Sequence, residues 1–280
     1  MDLRSYLSEY HIDLCGVLPL NECRILHPHL LRRAGFSEGE QGALSVQLFA
    51  IPYLSRAAST PERNLSAYAV GRDYHLFVRR LLDELLPRLA QEHPDYRFAG
   101  FADHSPIDEI EAAVAAGMGV RGRNHLLLTE RYSSYVFLAE IITDMPLTPT
   151  PTALPPALQR CHDCGKCEAA CPMTREGGLC RSALTQKKDP LDEDELALLQ
   201  RFPSVWGCDL CQEACPYTAH AIARGTIWTP IPFFEEQVLP RLTLEALDAM
   251  SEDEFAARAY AWRGRKTIRR NLTLHPPFCK

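Results

Sequence analysis

The chain has 280 residues, 46% of them hydrophobic and 24% charged, which is ordinary for a globular protein long enough to bury a sizeable core. Its net charge of −6 does not favour general nucleic-acid binding. No apolar run approaches the roughly 18 residues of a membrane span, and Met1–Tyr6 lacks a charged-then-apolar signal pattern. The expectation is a cytoplasmic protein with no membrane association.

Residues 1–150 alternate between strand and helix patterns. Leu14–Leu18 and Leu44–Ile51 are apolar runs suited to buried strands. A helix is predicted from about Tyr74 to Gln91, capped by Asp73, with Val78, Leu82, Leu85 and Leu89 on one face. Arg97–Ala102 is the next strand. Ser105 and Pro106 are expected to open a helix through about Ala116, ended by Gly117 and Gly119. Leu126–Thr129 and Tyr135–Ile142 read as a hairpin. This interleaving argues for an α/β fold, built as an α+β sandwich.

Five prolines between Pro146 and Pro156 form a stiff connector and the expected domain boundary. Three parts follow: 1–150, a cysteine-rich module over 151–230, and a short, helical, basic tail over 231–280. Asp189–Phe202 looks helical and acidic; Leu244–Met250 and Glu252–Ala261 look like short helices. The tail carries Arg258, Arg263, Arg265, Lys266, Arg269 and Arg270.

The cysteines carry the strongest chemical signal. Cys161, Cys164, Cys167 and Cys171-Pro172 follow the C-x2-C-x2-C-x3-C-P spacing of bacterial iron–sulfur proteins. Cys208, Cys211 and Cys215-Pro216 repeat all but one position, and Cys180 makes up the number. We assign Cys161, Cys164, Cys167 and Cys215 to one four-iron cluster, and Cys171, Cys180, Cys208 and Cys211 to a second. Paired C-x2-C units also suit structural zinc, but zinc leaves the third cysteine and both Cys-Pro endings unexplained. Thiolate-bound iron implies a reducing compartment. Of the remaining cysteines, Cys15 is expected in the core, with Cys23 and Cys279 incidental.

Clusters move electrons and need a partner site for chemistry, and no nucleotide-binding glycine motif marks one. Five blocks do: Tyr68–His75, Phe101–Pro106, Gly117–Gly122, the cysteine pattern and Trp206–Gln212. Together, over nearly the whole chain, they resemble the epoxyqueuosine reductase family, cobalamin-dependent iron–sulfur enzymes of tRNA queuosine synthesis. The resemblance implies two [4Fe-4S] clusters in a ferredoxin-like module, and a base-off cobalamin on a nitroreductase-like domain. It further implies reductive removal of an epoxide oxygen. Asp103 takes the position of the family's proton donor, just past a strand end. Arg72, Tyr74 and His75 become candidate corrinoid or substrate neighbours beside Asp103. Without the resemblance, Asp73 caps, Tyr74 packs and His75 faces solvent. The resemblance offers no cobalt ligand in His75.

There are departures. The family's Ile-Leu-Glu-Arg-Pro segment is here Ile107–Glu111, without the arginine. Val120 replaces a tryptophan, and Pro216-Tyr217-Thr218 replaces Pro-Trp-Asn. The resemblance runs out near the first helices after the clusters, so a short member lacking the C-terminal helical-repeat domain is expected. An external low-potential donor, a ferredoxin or flavodoxin, is the expected partner. The basic stretch 258–270 is the one candidate for tRNA phosphate contacts. Two rivals stand beside this reading: a corrinoid-reactivating reductase, and a two-cluster electron carrier with no organic substrate of its own.

Overall fold

The computed structural model describes residues 3–151, 154, 158–173, 180–202 and 204–275. The expected connector lies partly outside these residues, and Cys279 wholly outside them. The chain divides into two compact units, each assembled from separated stretches. The first comprises residues 1–52, 77–163 and 220–231; the second comprises 53–76, 164–219 and 232–280.

The first unit is built on a four-stranded sheet. Helix α1 (Arg4–Ser8) precedes β1 (Leu14–Pro19), α2 (Pro28–Arg33) and β2 (Ser45–Pro52). Helix α3 (Tyr74–Glu92) starts in the second unit and continues in the first. Then come β3 (Phe98–Phe101), α4 (Glu109–Ala115), β4 (Val120–Arg121), β5 (Leu127–Leu128) and β6 (Val136–Thr143). The sheet order is β1-β2-β6-β3, and every pair is antiparallel. Strand β2 is buried along its whole length. On one face Val46, Leu48, Ala50 and Ile142 pack with Ala112 and Ala113 of α4 and with Ala116, which follows it. On α3, Leu82 comes so near β3 that a Cβ at Gly100 would lie 2.5 Å from its Cδ2. Glycine there lets the Leu82 side chain lie directly against the strand.

Three expectations need correction. Helix α4 begins at Glu109, with Asp108 rather than Ser105 as its cap, through an Asp108 side chain accepting from Glu111 N. The reason is that residues 106–108 are first paired with 24–27: Leu26 N donates to Pro106 O, and Asp108 N to Arg24 O. The expected 126–142 hairpin does not form either. Strand β5 pairs with β4, the chain reverses at a Thr129–Ser133 bridge, and β6 enters the main sheet between β2 and β3. Cys23 is a core residue, not incidental.

The second unit contains short helices: α5 (Lys166–Ala170), α6 (Arg181–Thr185), α7 (Glu193–Arg201) and α8 (Leu210–Glu213). Helix α9 (Pro216–Ala223) ends in the first unit's stretch; α10 (Leu244–Ala249), α11 (Glu252–Ala256) and α12 (Arg265–Leu274) follow. Helix α5 packs on α8, and α12 packs on α6, α7 and α10. Trp206, fully buried, pairs with Leu65 in a bridge. Gly207 has φ 70°, and a Cβ there would lie 2.4 Å from Ser66 Cβ, so the turn into Cys208 admits no side chain.

Candidate functional site

The two cysteine arms meet where α5 packs on α8. Cys167 lies in α5 and Cys171 just after it; Cys211 lies in α8, and Cys215 two residues beyond it. Burial first, and then the charges of Cys208, Cys180, Cys171 and Asp209, push the Cys211 thiol up to about 12. Those three sulfurs and Cys211 are the four assigned above to one cluster. Among the described residues, no three His, Cys, Asp or Glu side chains form a site for a single metal ion.

The turn holding Cys208 and Cys211 is tied down by a buried acid. Asp209 accepts from Arg63 Nη1 at 2.5 Å, from Ala67 N at 2.7 Å and from the Ser66 hydroxyl. It therefore joins the Asn64–Tyr68 stretch to the cysteine turn. Arg181, which follows Cys180, is 1% exposed, and its charge acts on Cys208.

Arg72, Tyr74 and His75 lie in the second unit at the start of α3. Arg72 stands over the Phe233 ring at 4.6 Å and 3.8 Å from Glu236; its Nε is buried without a hydrogen-bond partner. Tyr74 is buried and stacks at 4.1 Å on His75. His75 faces solvent, its Nδ1 2.8 Å from Asp73 Oδ1. Asp73 also accepts from His75 N at 3.0 Å, filling the cap expected of it.

Asp103 lies in the first unit, exposed, two residues beyond β3. Its sheet is antiparallel, so the rule that ligands gather at the carboxyl ends of parallel strands does not apply to it. Its backbone is distinctive instead: φ is 59°, a left-handed conformation that strains a residue with a side chain. The Glu109 carboxylate accepts the Asp103 backbone N–H and so supports that turn.

Glu109 belongs to an acid pair that the sequence reading missed. Glu140, on β6 opposite Leu48 and Phe101, is fully buried, and its Oε1 accepts from Ser105 Oγ at 2.5 Å. The same hydroxyl accepts from Ile107 N at 3.1 Å. Burial, then the charge of Asp103, pushes Glu109 up to about 7. Burial and the Glu109 charge hold Glu140 well above the usual carboxylate range. Glu109 Oε1 and Glu140 Oε2 are buried without partners. Two ionised carboxylates have no hydrogen to share, whereas one proton between them supplies a bond. The available signal was a lone acid within Val136–Thr143, an otherwise apolar strand.

Residues 33–104 match the family described as Epoxyqueuosine reductase QueG, DUF1730. The chain is 35% identical over 247 residues to the epoxyqueuosine reductase of Listeria monocytogenes, covering 82% of this chain and 63% of that protein. It is 31% identical over 252 residues to that of Gloeobacter violaceus, covering 86% of this chain and 76% of the relative. The chain belongs to the epoxyqueuosine reductase family. Among solved structures it resembles an epoxyqueuosine reductase with an epoxyqueuosine-modified stem loop of tyrosine tRNA. The TM-score is 0.74 at 26% identity, over 97% of this chain and 80% of that one. The family match over residues 33–104 takes in Arg72, Tyr74, His75 and Asp103, and ends before the cysteine arms. Among the described residues, no helix is long and apolar enough to cross a membrane.

Proposed function

We propose that this family member is an iron–sulfur, cobalamin-dependent oxidoreductase that removes the epoxide oxygen from epoxyqueuosine in tRNA. The observation that carries the reading is the packing of α5 on α8, which brings the two cysteine arms together, with the charges of Cys208, Cys180 and Cys171 reaching Cys211. The donor set suits a four-iron cluster, with Cys161, Cys164, Cys167 and Cys215 serving the other. A nitroreductase-like part within 1–150 would take corrinoid and substrate, a ferredoxin-like module over 151–230 the clusters, and 231–280 would be a helical, basic tail. For the corrinoid, the buried and unpartnered Arg72 Nε offers a donor to a polar ring substituent. His75 is already bonded to Asp73, which fits cobalt without a protein imidazole. Bound, these groups supply single electrons and a reducing metal centre; an external low-potential donor, ferredoxin or flavodoxin, would feed them in a reducing compartment such as the cytoplasm.

The protein's own residues then manage the proton. Opening and removing the epoxide leaves an oxygen anion that must be protonated, and Asp103 is the group exposed to do it. Glu109 holds the Asp103 N–H, fixing the turn from which the acid is presented. Glu140, hydrogen-bonded to Ser105 and buried with it, completes the acid pair with Glu109.

Anaerobic isolation is expected to yield about eight irons per chain, cobalamin binding on addition, and conversion of epoxyqueuosine-containing stem loop to queuosine. Stoichiometric zinc with negligible iron would defeat the reading. Iron without cobalamin would leave the two-cluster carrier, and cobalamin without turnover the corrinoid-reactivating reductase.

A further inference from the structure

Arg181 is 1% exposed, yet no carboxylate pairs with it among the described residues. Nη2 donates to Phe202 O and Ser204 O, both at 2.9 Å, and the guanidinium lies 5.3 Å over the Phe202 ring. Nε is buried without a partner. Two carbonyls and a ring orient a cation without neutralising it, and a buried charge without a counter-ion is costly. Among the described residues, the groups beside it that can be anionic are sulfurs: it directly follows Cys180 in the chain and stands in the field of Cys208 and Cys180. His275 also stands in its field, but as a base it cannot balance the charge. The anion this guanidinium is built to face is thiolate sulfur, or something thiolates hold.

We propose that Arg181 is the fixed counter-charge of the cluster held by Cys171, Cys180, Cys208 and Cys211, and that it raises that cluster's reduction potential above its partner's. This rests on the cluster reading under Proposed function. One-electron reduction adds a negative charge to the cluster: the donor is oxidised, the cluster reduced, and no proton or bond is exchanged. A cation within a few ångströms in a dry setting stabilises the reduced form more than the oxidised one. The unpartnered Nε adds a donor able to point at cluster sulfur. The cluster beside Arg181 becomes the electron sink of the pair, so reducing equivalents collect there.

The test is a potentiometric titration of the full chain, anaerobically reconstituted and followed by electron paramagnetic resonance, for wild type, Arg181→Gln and Arg181→Lys. Arg181→Gln is expected to lower the potential of one cluster and leave the other unmoved. The reduced-to-oxidised ratio at fixed potential should fall at least tenfold, or 59 mV for a one-electron couple. Arg181→Lys keeps the charge and is expected to stay near wild type. An unchanged potential in iron-replete Arg181→Gln overturns the proposal, as does an equal shift of both clusters. If Arg181→Gln loses one cluster, retention of that cluster by Arg181→Lys supports it. Loss in both variants gives the guanidinium a packing role instead and overturns it. Absence of iron from wild type is a separate result, which defeats the cluster reading itself.

Discussion

Asp103 is where a local backbone feature and a chemical role are closest together. General-acid catalysis contributes about 10²–10⁴-fold. Asp103→Asn is expected to keep its iron and cobalamin while product formation falls by roughly that factor, measured with metal analysis on one preparation. Unchanged turnover would remove the acid role, and loss of cobalamin would make Asp103 a binding residue. Behind it, the Glu109–Glu140 pair carries a pH signature. Glu109 sits at about 7 when folded against an ordinary 4.5, so between those values the folded chain holds a proton that the unfolded chain releases. Stability therefore falls as pH rises through this window, and the raised Glu140 extends the decline upward. Asp103 and Asp108 face Glu109, and Cys23 faces Glu140; none supplies a compensating positive charge. Melting temperature is expected to drop from pH 5 to 7.5 in the wild type and to change less in Glu109→Gln. A rise across that interval would refute the shared proton.

Among the elements, β1, β2, α3 and β3 were legible in the sequence because each carries its own pattern. Leu44–Ile51 is dominated by apolar residues and buried on both faces, and Val78, Leu82, Leu85 and Leu89 recur at helical spacing. Strand β6 was visible as a strand, but its partners were not, since pairing is decided by distant residues such as Val46 and Ala99. Ser105-Pro106 carried a sound helix-start signal that lost to main-chain pairing with residues 24–27. The cysteine spacing announced clusters, whereas Arg181 and Asp209 had no spacing to betray them. The packing of α5 on α8 has a consequence for ligand exchange between the arms. Cys215→Ala is expected to damage the cluster proposed on Cys161, Cys164 and Cys167, leaving about four irons in the other; loss of the Cys208–Cys211 cluster instead would overturn the crossed assignment.

At the scale of the whole molecule, the basic tail proves mostly occupied. Arg258 donates to Gln237 O, and Arg270 to Lys187 O. Arg269 pairs with Asp248. Arg265 Nη1 donates to Leu247 O, and Nη2 to Met250 O and Ser251 O. What remains presented is Lys266, which is exposed, and Trp262, 58% exposed, with Arg263 3.7 Å over its ring. Arg265→Ala is accordingly expected to cost about 1–3 kcal/mol of stability while the salt dependence of stem-loop binding stays as it was. A slope shallower by about one, with no loss of stability, would return Arg265 to the RNA-contacting set.

The interleaved units also set an order of events on the ribosome. Strand β2 ends at Pro52, whose carbonyl accepts from Thr229 Oγ1 at 2.6 Å across a sequence separation of 177. Arg224 likewise donates to Glu130 O at 2.6 Å. At synthesis rates of about 5–20 residues per second, roughly nine to thirty-five seconds separate the two ends of the Pro52–Thr229 bond. During that interval every cysteine of both arms emerges. The four strands of the sheet, the last ending at Thr143, are thus made before Cys161, whereas the first unit's final stretch, residues 220–231, is added only after Cys215.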